Sequence, residues 1–370
     1  MTTDFFDEPL PQSIIKARIV SKYFKAWSQV MLHTPRQDPR IGFYDLFAGT
    51  GTYENGEKST PLLVLETALQ NPEIRDNLIT IFNDKEESHC TRLRDSILKL
   101  PGIDGLKHKP SMLHLDVDSN VANLFKQQSL VPSILFLDPW GYKGLSLDLI
   151  RSVVKDWGSE CIFFFNYRRV NAAFSNPTFN CHIDELFGSS RASHIRLGLH
   201  GKKPFERESF IMDQLSEALK ESASFVLRFR FESPDIDRTS HYLIFVTKGF
   251  RGYEIMKDIM AGESVPSDSM VPTFEYTEHP EQNQLLNLND PNEELAGRLL
   301  RHFKGRTLSF DDIYKEDSPD TPYVKDNYRK ALFILENAHK VSVISTGSKK
   351  RRASTFGSSC AITFIDDPTA

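Results

Sequence analysis

Cysteine is scarce in this chain. Its four copies, Cys90, Cys161, Cys181 and Cys360, lie far apart and form no C-x-x-C pair, so neither a zinc knuckle nor an iron–sulfur cluster is indicated and no metal site is expected. Long apolar runs are missing as well: none approaches the ~20 residues that cross a bilayer, and no membrane partner is expected. The amino end, Met1 to Glu8, lacks the basic-then-apolar order of a signal peptide, so the expected location is the cytoplasm. Basic charge is not in excess either. With 45 Lys and Arg against 50 Asp and Glu the net charge is −5, and the summed field of such a protein repels phosphates, so contact with nucleic acid requires a local basic surface. What is present is ordinary for a globular protein, 39% hydrophobic and 26% charged, and 370 residues suit two domains of unequal size better than a single core.

Between Ser13 and Met31 the apolar positions Ile14, Ile15, Ile19, Val20, Phe24, Trp27 and Val30 recur at helical spacing, the pattern of an amphipathic helix with a packing role. Ile41 to Phe47 reads as a strand that runs into Ala48-Gly49-Thr50-Gly51, and Thr60-Pro61 starts a helix. The pattern then repeats. Strands at Leu78 to Phe82, Ser111 to Leu115, Ser133 to Leu137 and Cys161 to Phe165, with helices at Glu86 to Leu98 and Leu145 to Trp157, predict a parallel sheet covered on both faces, with ligands at the carboxyl ends of its strands. From about 168 to 207 the alternation lapses, which reads as an insertion above the active face. It resumes with a helix at Glu206 to Glu221 and strands at Phe225 to Phe231 and His241 to Thr247, which should pair antiparallel at the end of the sheet. Five parallel strands followed by a hairpin is the order that methyltransferases use.

Residues 261–292 are rich in Pro, Ser, Glu, Asn and Gln and read as a linker. Beyond it, Asn292 can cap a helix at Glu293 to Phe303, a shorter helix starts near Ser309, and a third covers Tyr323 to Ala338. Val341 to Ile344 and Ala361 to Ile365 then form a hairpin, which completes the order of a winged helix. The expected architecture is α/β: a Rossmann-like class I methyltransferase sheet over 1–260, a linker over 261–292, and a small winged-helix-like domain over 293–370.

Gly49 and Gly51, between a strand and a helix, let backbone approach a nucleotide-containing cofactor closely. Asp45 at the same strand end offers a carboxylate to the amino-acid part of S-adenosylmethionine (SAM), and Phe47 and Ala48 share the loop. A pyrophosphate cofactor is disfavoured, since the third glycine of G-x-G-x-x-G is missing and Glu54 and Glu57 repel phosphate. The same two glycines also suit an ordinary tight turn. Asp84 either accepts from ribose hydroxyls or caps the helix at Lys85-Glu86. Asp116 or Asp118 either holds the adenine amino group or forms a turn, and Asp118 suits the turn better.

Asp138-Pro139-Trp140-Gly141 follows the fourth strand, beside the expected position of the SAM methyl group. An exocyclic ring amine is a poor nucleophile because its lone pair is delocalised. The Asp138 carboxylate and the Pro139 carbonyl, both accepting from that NH2 group, would favour the tetrahedral nitrogen that develops during transfer. Trp140 could stack on the base and hold it in line. The plainer reading makes Asp-Pro a strand-to-turn device with Trp140 in the core. At the carboxyl end, Lys349-Lys350-Arg351-Arg352 on the hairpin tip and Arg329 on the third helix could contact DNA or RNA phosphates; a solvated charge run is the alternative.

Four separated motifs carry a resemblance. Tyr44-Asp45-Leu46-Phe47-Ala48-Gly49-Thr50-Gly51-Thr52-Tyr53-Glu54-Asn55-Gly56, Phe136-Leu137-Asp138-Pro139-Trp140-Gly141-Tyr142-Lys143-Gly144, Phe165-Asn166-Tyr167-Arg168-Arg169-Val170-Asn171 and Tyr242-Leu243-Ile244-Phe245-Val246-Thr247-Lys248 occur in order. Together they resemble the three-Cys-motif partner family over about Ser13 to Met260. The resemblance implies a branch of the class I SAM-dependent methyltransferases, usually encoded beside a protein whose three-cysteine motif resembles radical-SAM enzymes. Asp138-Pro139-Trp140-Gly141 also resembles the D-P-P-[YFW] motif of amino-directed nucleic-acid methyltransferases, with Trp140 standing where proline is expected and Gly141 where the aromatic is expected. Cytosine C5 methylation is disfavoured because no Pro-Cys follows the fourth strand.

The expected function is SAM-dependent methylation of an exocyclic amine of a nucleic-acid base, with the base extruded into the pocket. A second reading, favoured by the irregular Asp138 motif, is a non-catalytic partner that keeps the fold and delivers nucleic acid or another substrate to a three-cysteine enzyme. A third, a small-molecule methyltransferase, leaves the basic hairpin without a role.

Overall fold

The computed structural model describes residues 11–53, 56–139, 141–233, 236–264, 271–277, 290–345, 355–357 and 360–365. The chain divides into two compact units, Met1–Glu263 with Tyr276–Glu278, and Ser264–Glu275 with His279–Ala370.

In the first unit, strands β1 (Ile41–Asp45), β2 (Leu78–Asn83), β3 (Ser111–Leu113), β4 (Ser133–Leu137), β5 (Glu160–Phe165), β6 (Phe225–Ser233) and β7 (Ile236–Thr247) form a sheet that ends on a two-residue strand, β8 (Glu275–Tyr276). Their order is β3-β2-β1-β4-β5-β7-β6-β8. β1 pairs parallel with β2 and β4, β2 with β3, and β4 with β5, whereas β7 is antiparallel to both β5 and β6. β1, β4 and most of β5 are buried on both faces, as parallel strands between helical layers must be. This is the Rossmann-like α/β sheet of a class I methyltransferase, with the order reversing between β1 and β4, where such sheets bind ligands.

Several elements end where a side chain diverts the backbone. β1 stops at Asp45, two residues before the expected end, because the Phe47 N–H donates to Asp45 Oδ1 at 3.0 Å and turns the chain. β3 stops at Leu113, since the Leu115 N–H donates to Asn83 Oδ1 at 2.9 Å.

Helix α1 (Pro11–His33) buries Ile19, Val20, Tyr23, Phe24 and Trp27, and Lys16 lies on the same stripe, 6% exposed. Helices α2 (Thr60–Gln70), α3 (Pro72–Asn77), α4 (Glu87–Leu98), α5 (Ser119–Gln127) and α6 (Leu147–Val154) complete the alternation. Asp118 caps α5 by accepting from the Asn120 N–H at 2.8 Å, the turn role expected of it.

The stretch read as an insertion is helical, with α7 (Tyr167–Ala173), α8 (Asn180–Phe187), α9 (Ser189–Gly198) and the start of α10 (Pro204–Lys220). Ile183, Leu186, Phe187, Ala192 and Ile195 join one buried core with β4, β5 and α6. The segment is therefore a layer of the domain, and its edge meets the loop after β4, where the Tyr142 ring lies 6.0 Å from Phe179 and 6.1 Å from His182. Helix α11 (Phe250–Glu263) follows β7 and packs on α1. At the amino end of β5, Glu160 is buried and accepts from the Tyr23 hydroxyl and from Thr247 Oγ1 at 2.7 Å.

The second unit contains α12 (Pro291–His302), β9 (Thr307–Leu308), α13 (Phe310–Asp317), α14 (Lys325–Asn337), β10 (Val341–Ser345) and β11 (Cys360–Phe364). Its sheet has the order β10-β11-β9, antiparallel throughout. A helix, a short strand, two helices and a hairpin make a winged helix. The cap of α12 is Asp290, which accepts from the Asn292 N–H at 2.8 Å; Asn292, expected in that role, instead accepts from Asn327 Nδ2 of α14 at 3.3 Å. Asp317 is buried and accepts from Arg298, His302 and the Tyr328 hydroxyl at 3.1, 3.3 and 2.7 Å, which ties α12, α13 and α14 together. Among the described residues no helix is long and apolar enough to cross a membrane.

Candidate functional site

A cavity of about 520 Å³ opens at the carboxyl edge of the sheet, lined from β1 and its loop by Asp45, Phe47, Ala48 and Gly49, from the end of β2 by Asp84, from the segment after β3 by Asp116, and from the end of β4 by Asp138. Its volume lies in the ~300–1,000 Å³ range of small-molecule and cofactor sites. Asn83 does not line it but braces the loops that do: the side-chain amide donates to the carbonyls of Leu46 and Leu115, both at 3.0 Å, and the Asn83 carbonyl accepts from the Ala48 N–H at 2.8 Å. One buried residue thus sets the loops after β1, β2 and β3 against each other.

Asp84 holds the glycine loop. Its Oδ2 accepts from the Gly49 N–H at 3.0 Å, and its Oδ1 accepts from the Glu86 N–H at 2.9 Å and lies 3.2 Å from His89 Nδ1. The bond to Glu86 is a turn ahead of α4, whose cap position is Glu86 and not Asp84, and the same carboxylate borders the cavity. Gly49 and Gly51 both have positive φ, 64° and 85°. Gly51 does not line the cavity; a Cβ there would lie 2.7 Å from Leu93 Cδ1 of α4, so this glycine serves the turn and its packing. Asp45 is 1% exposed, and its carboxyl is pushed well above the ordinary range, first by burial and further by Asp138 and Asp84, against the opposing Phe47 N–H and Lys16. Asp116 is exposed on the rim, with Lys143 Nζ 3.9 Å away.

Asp138 has a partner that the sequence reading lacked. Lys16 of α1 donates to Asp138 Oδ2 in an ion pair whose side chains are 8% and 24% exposed. Burial disfavours the ammonium, yet Asp138, Tyr53 and Asp45 outweigh it and hold Lys16 above its usual value. Lys16 Nζ also sits 4.5 Å from the centre of the Phe164 ring. His241 stacks on that ring at 4.6 Å, its Nδ1 is buried without a hydrogen-bond partner, and burial, with Lys16 and Arg169, lowers it to about 4. The signal for Lys16 was present as a lysine three and four residues before Ile19 and Val20, on the apolar stripe. His89, Tyr53 and Lys143 also line the cavity; no spacing marked them.

Pro139 does not line the cavity, and its carbonyl already accepts from the Gly141 N–H at 2.7 Å. Trp140 lies outside the described residues, as do Lys349, Lys350, Arg351 and Arg352. Arg329 is exposed on α14, its guanidinium 5.2 Å from the centre of the Phe310 ring. No group of His, Cys, Asp and Glu that could hold a metal occurs among the described residues.

Residues 273–348 match the family model of the GMT-like wHTH domain, in agreement with the winged helix. No curated protein matches the chain. Solved structures similar to it include a protein of Legionella pneumophila strain Philadelphia 1, 14% identical, covering 67% of this chain and 86% of its own, with a TM-score of 0.36. A SAM-dependent methyltransferase of Agrobacterium tumefaciens is 9% identical, covering 65% and 63% with a TM-score of 0.37. A precorrin-6y C5,15-methyltransferase of Geobacter metallireducens GS-15 is 11% identical, covering 61% and 87% with a TM-score of 0.30. Likenesses of this size carry no weight beside the strand order, which defines the fold by itself.

Proposed function

We propose that this chain is a SAM-dependent methyltransferase of the three-Cys-motif partner family, acting on an exocyclic amine of a nucleic-acid base. The observation that carries the reading is a cavity at the carboxyl edge of the sheet that Asp45, Gly49, Asp84 and Asp138 share. Its donor set suits SAM: Asp84 beside the glycine loop suits a ribose diol, Asp45 an ammonium, and Lys16 a carboxylate. Bound there, SAM supplies an electrophilic methyl group. Asp138 accepts from the amine that receives it. The winged helix holds the polymer through Arg329 and the Lys349-Lys350-Arg351-Arg352 tip, and the target base is turned out into the cavity.

The test is transfer of a tritiated methyl group from SAM to pooled DNA and RNA, followed by digestion to nucleosides. Label in an N-methylated adenine, cytosine or guanine supports the reading; label on protein or small molecules alone contradicts it.

A second reading keeps the fold and SAM binding without catalysis, the chain delivering nucleic acid to a three-cysteine protein. Two observations favour it: Lys16 already engages Asp138, and the Pro139 carbonyl is engaged by Gly141. SAM binding with no label in any pool would decide for it.

A further inference from the structure

Lys16 is the inner cation of the cavity and the ion-pair partner of Asp138, and it comes from a helix outside the strand–helix alternation. The cations Lys85 and Lys143 line the cavity too, but they sit on exposed positions. A zwitterionic amino-acid group entering beside Asp45 therefore meets one buried ammonium, and that ammonium is already taken. A carboxylate ligand and Asp138 compete for it.

Resting on the SAM reading above, we propose that Lys16 is a positioning residue that exchanges partners: free of ligand it holds Asp138, and when SAM is bound it turns to the methionine carboxylate and releases Asp138 to accept from the substrate amine. The exchange couples the two halves of the site and makes cofactor binding precede productive substrate binding. A ligand shifts such an equilibrium only through its different affinity for the two states, and here that difference is one charge-assisted hydrogen bond. In the position seen, the Phe164 ring 4.5 Å from Nζ is a second partner for the ammonium.

The exchange has a signature that a fixed ion pair lacks. If Asp138 competes for Lys16, removing its charge must tighten binding of any ligand that needs Lys16. Calorimetric titration of SAM and of 5′-methylthioadenosine, which has no methionine carboxylate, into wild type, Asp138→Asn, Lys16→Met and the double variant reads this directly. Expected are a tightening of SAM by Asp138→Asn on the order of tenfold, within the usual 5–150-fold range of site coupling, and no change for methylthioadenosine. Lys16→Met should weaken SAM and abolish the effect of Asp138→Asn. Lys16→Arg keeps the charge, and it should retain the tightening if Lys16→Met does not fold.

Unchanged or weaker SAM binding by Asp138→Asn, or equal effects on both ligands, overturns the exchange while leaving the SAM reading intact. Wild type that binds neither ligand overturns the SAM reading and the exchange with it.

Discussion

Glu160 shows how much one buried group can weigh. Burial pushes its carboxyl from 4.5 up to about 7, against the hydrogen bonds from Tyr23 and Thr247. In the unfolded chain the same group loses its proton near 4.5, so between pH 4.5 and 7 the folded state binds the extra proton. Stability from this group is therefore fully present below pH 4.5 and lost as pH rises through 7. At 1.36 kcal/mol per unit the swing is about 3 kcal/mol. Glu160→Gln should flatten the urea-unfolding free energy across pH 5 to 8 and make the variant more stable than wild type at pH 8; an unchanged slope would remove Glu160 as its source. Asn83 makes the opposite case, since its bonds hold three loops in place. Asn83→Ala should cost about 1–3 kcal/mol by leaving the buried Leu46 carbonyl unpaired, and it should also weaken SAM binding. A stability loss without an affinity loss would mean that this bracing does not shape the cavity. Asp138→Ala should lower turnover on the order of 10²-fold or more, because an oriented acceptor acts chiefly on the transition state. Equal turnover would take Asp138 out of the mechanism. At this scale the acidic residues were legible because each follows a strand. Lys16 was not, because an amphipathic pattern shows that a face is buried and does not show what the face covers.

The elements that announced themselves have strong periodicity and clear ends. β4 has the expected bounds, Ser133 to Leu137, and the β6–β7 hairpin pairs as its alternation implies. Short or partly polar elements did not. α3 has six residues, too few for a readable stripe, and α5, nine residues long, carries only a short one through Val121, Ala122 and Phe125. The segment from 168 to 207 escaped for another reason: its helices are short and separated by turns, yet Ile183, Leu186 and Phe187 stand at i, i+3 and i+4, which is enough to join the core. In the second unit the helices were legible and β9 was not, since two residues make no alternation. The hairpin tip belongs to this scale as well. Replacing Lys349, Lys350, Arg351 and Arg352 by Ala should weaken nucleic-acid binding for every sequence alike, and it should flatten its salt dependence by about 0.9 logarithmic units per lost duplex phosphate contact. Fluorescence anisotropy at several salt concentrations checks this, and identical slopes would leave the tip a solvated charge run.

As a whole the molecule joins a Rossmann-like sheet to a winged helix under a net charge of −5. That balance confines any polymer contact to local basic positions. Calorimetric titration of SAM into the full chain, with Asp84→Asn as the companion variant, tests occupation of this cavity most directly. Expected are one site per chain in the wild type and binding at least about tenfold weaker in the variant, the loss expected when a charged hydrogen-bond acceptor is neutralised. Absence of binding heat in the wild type, or equal affinity in the two proteins, would contradict that occupation.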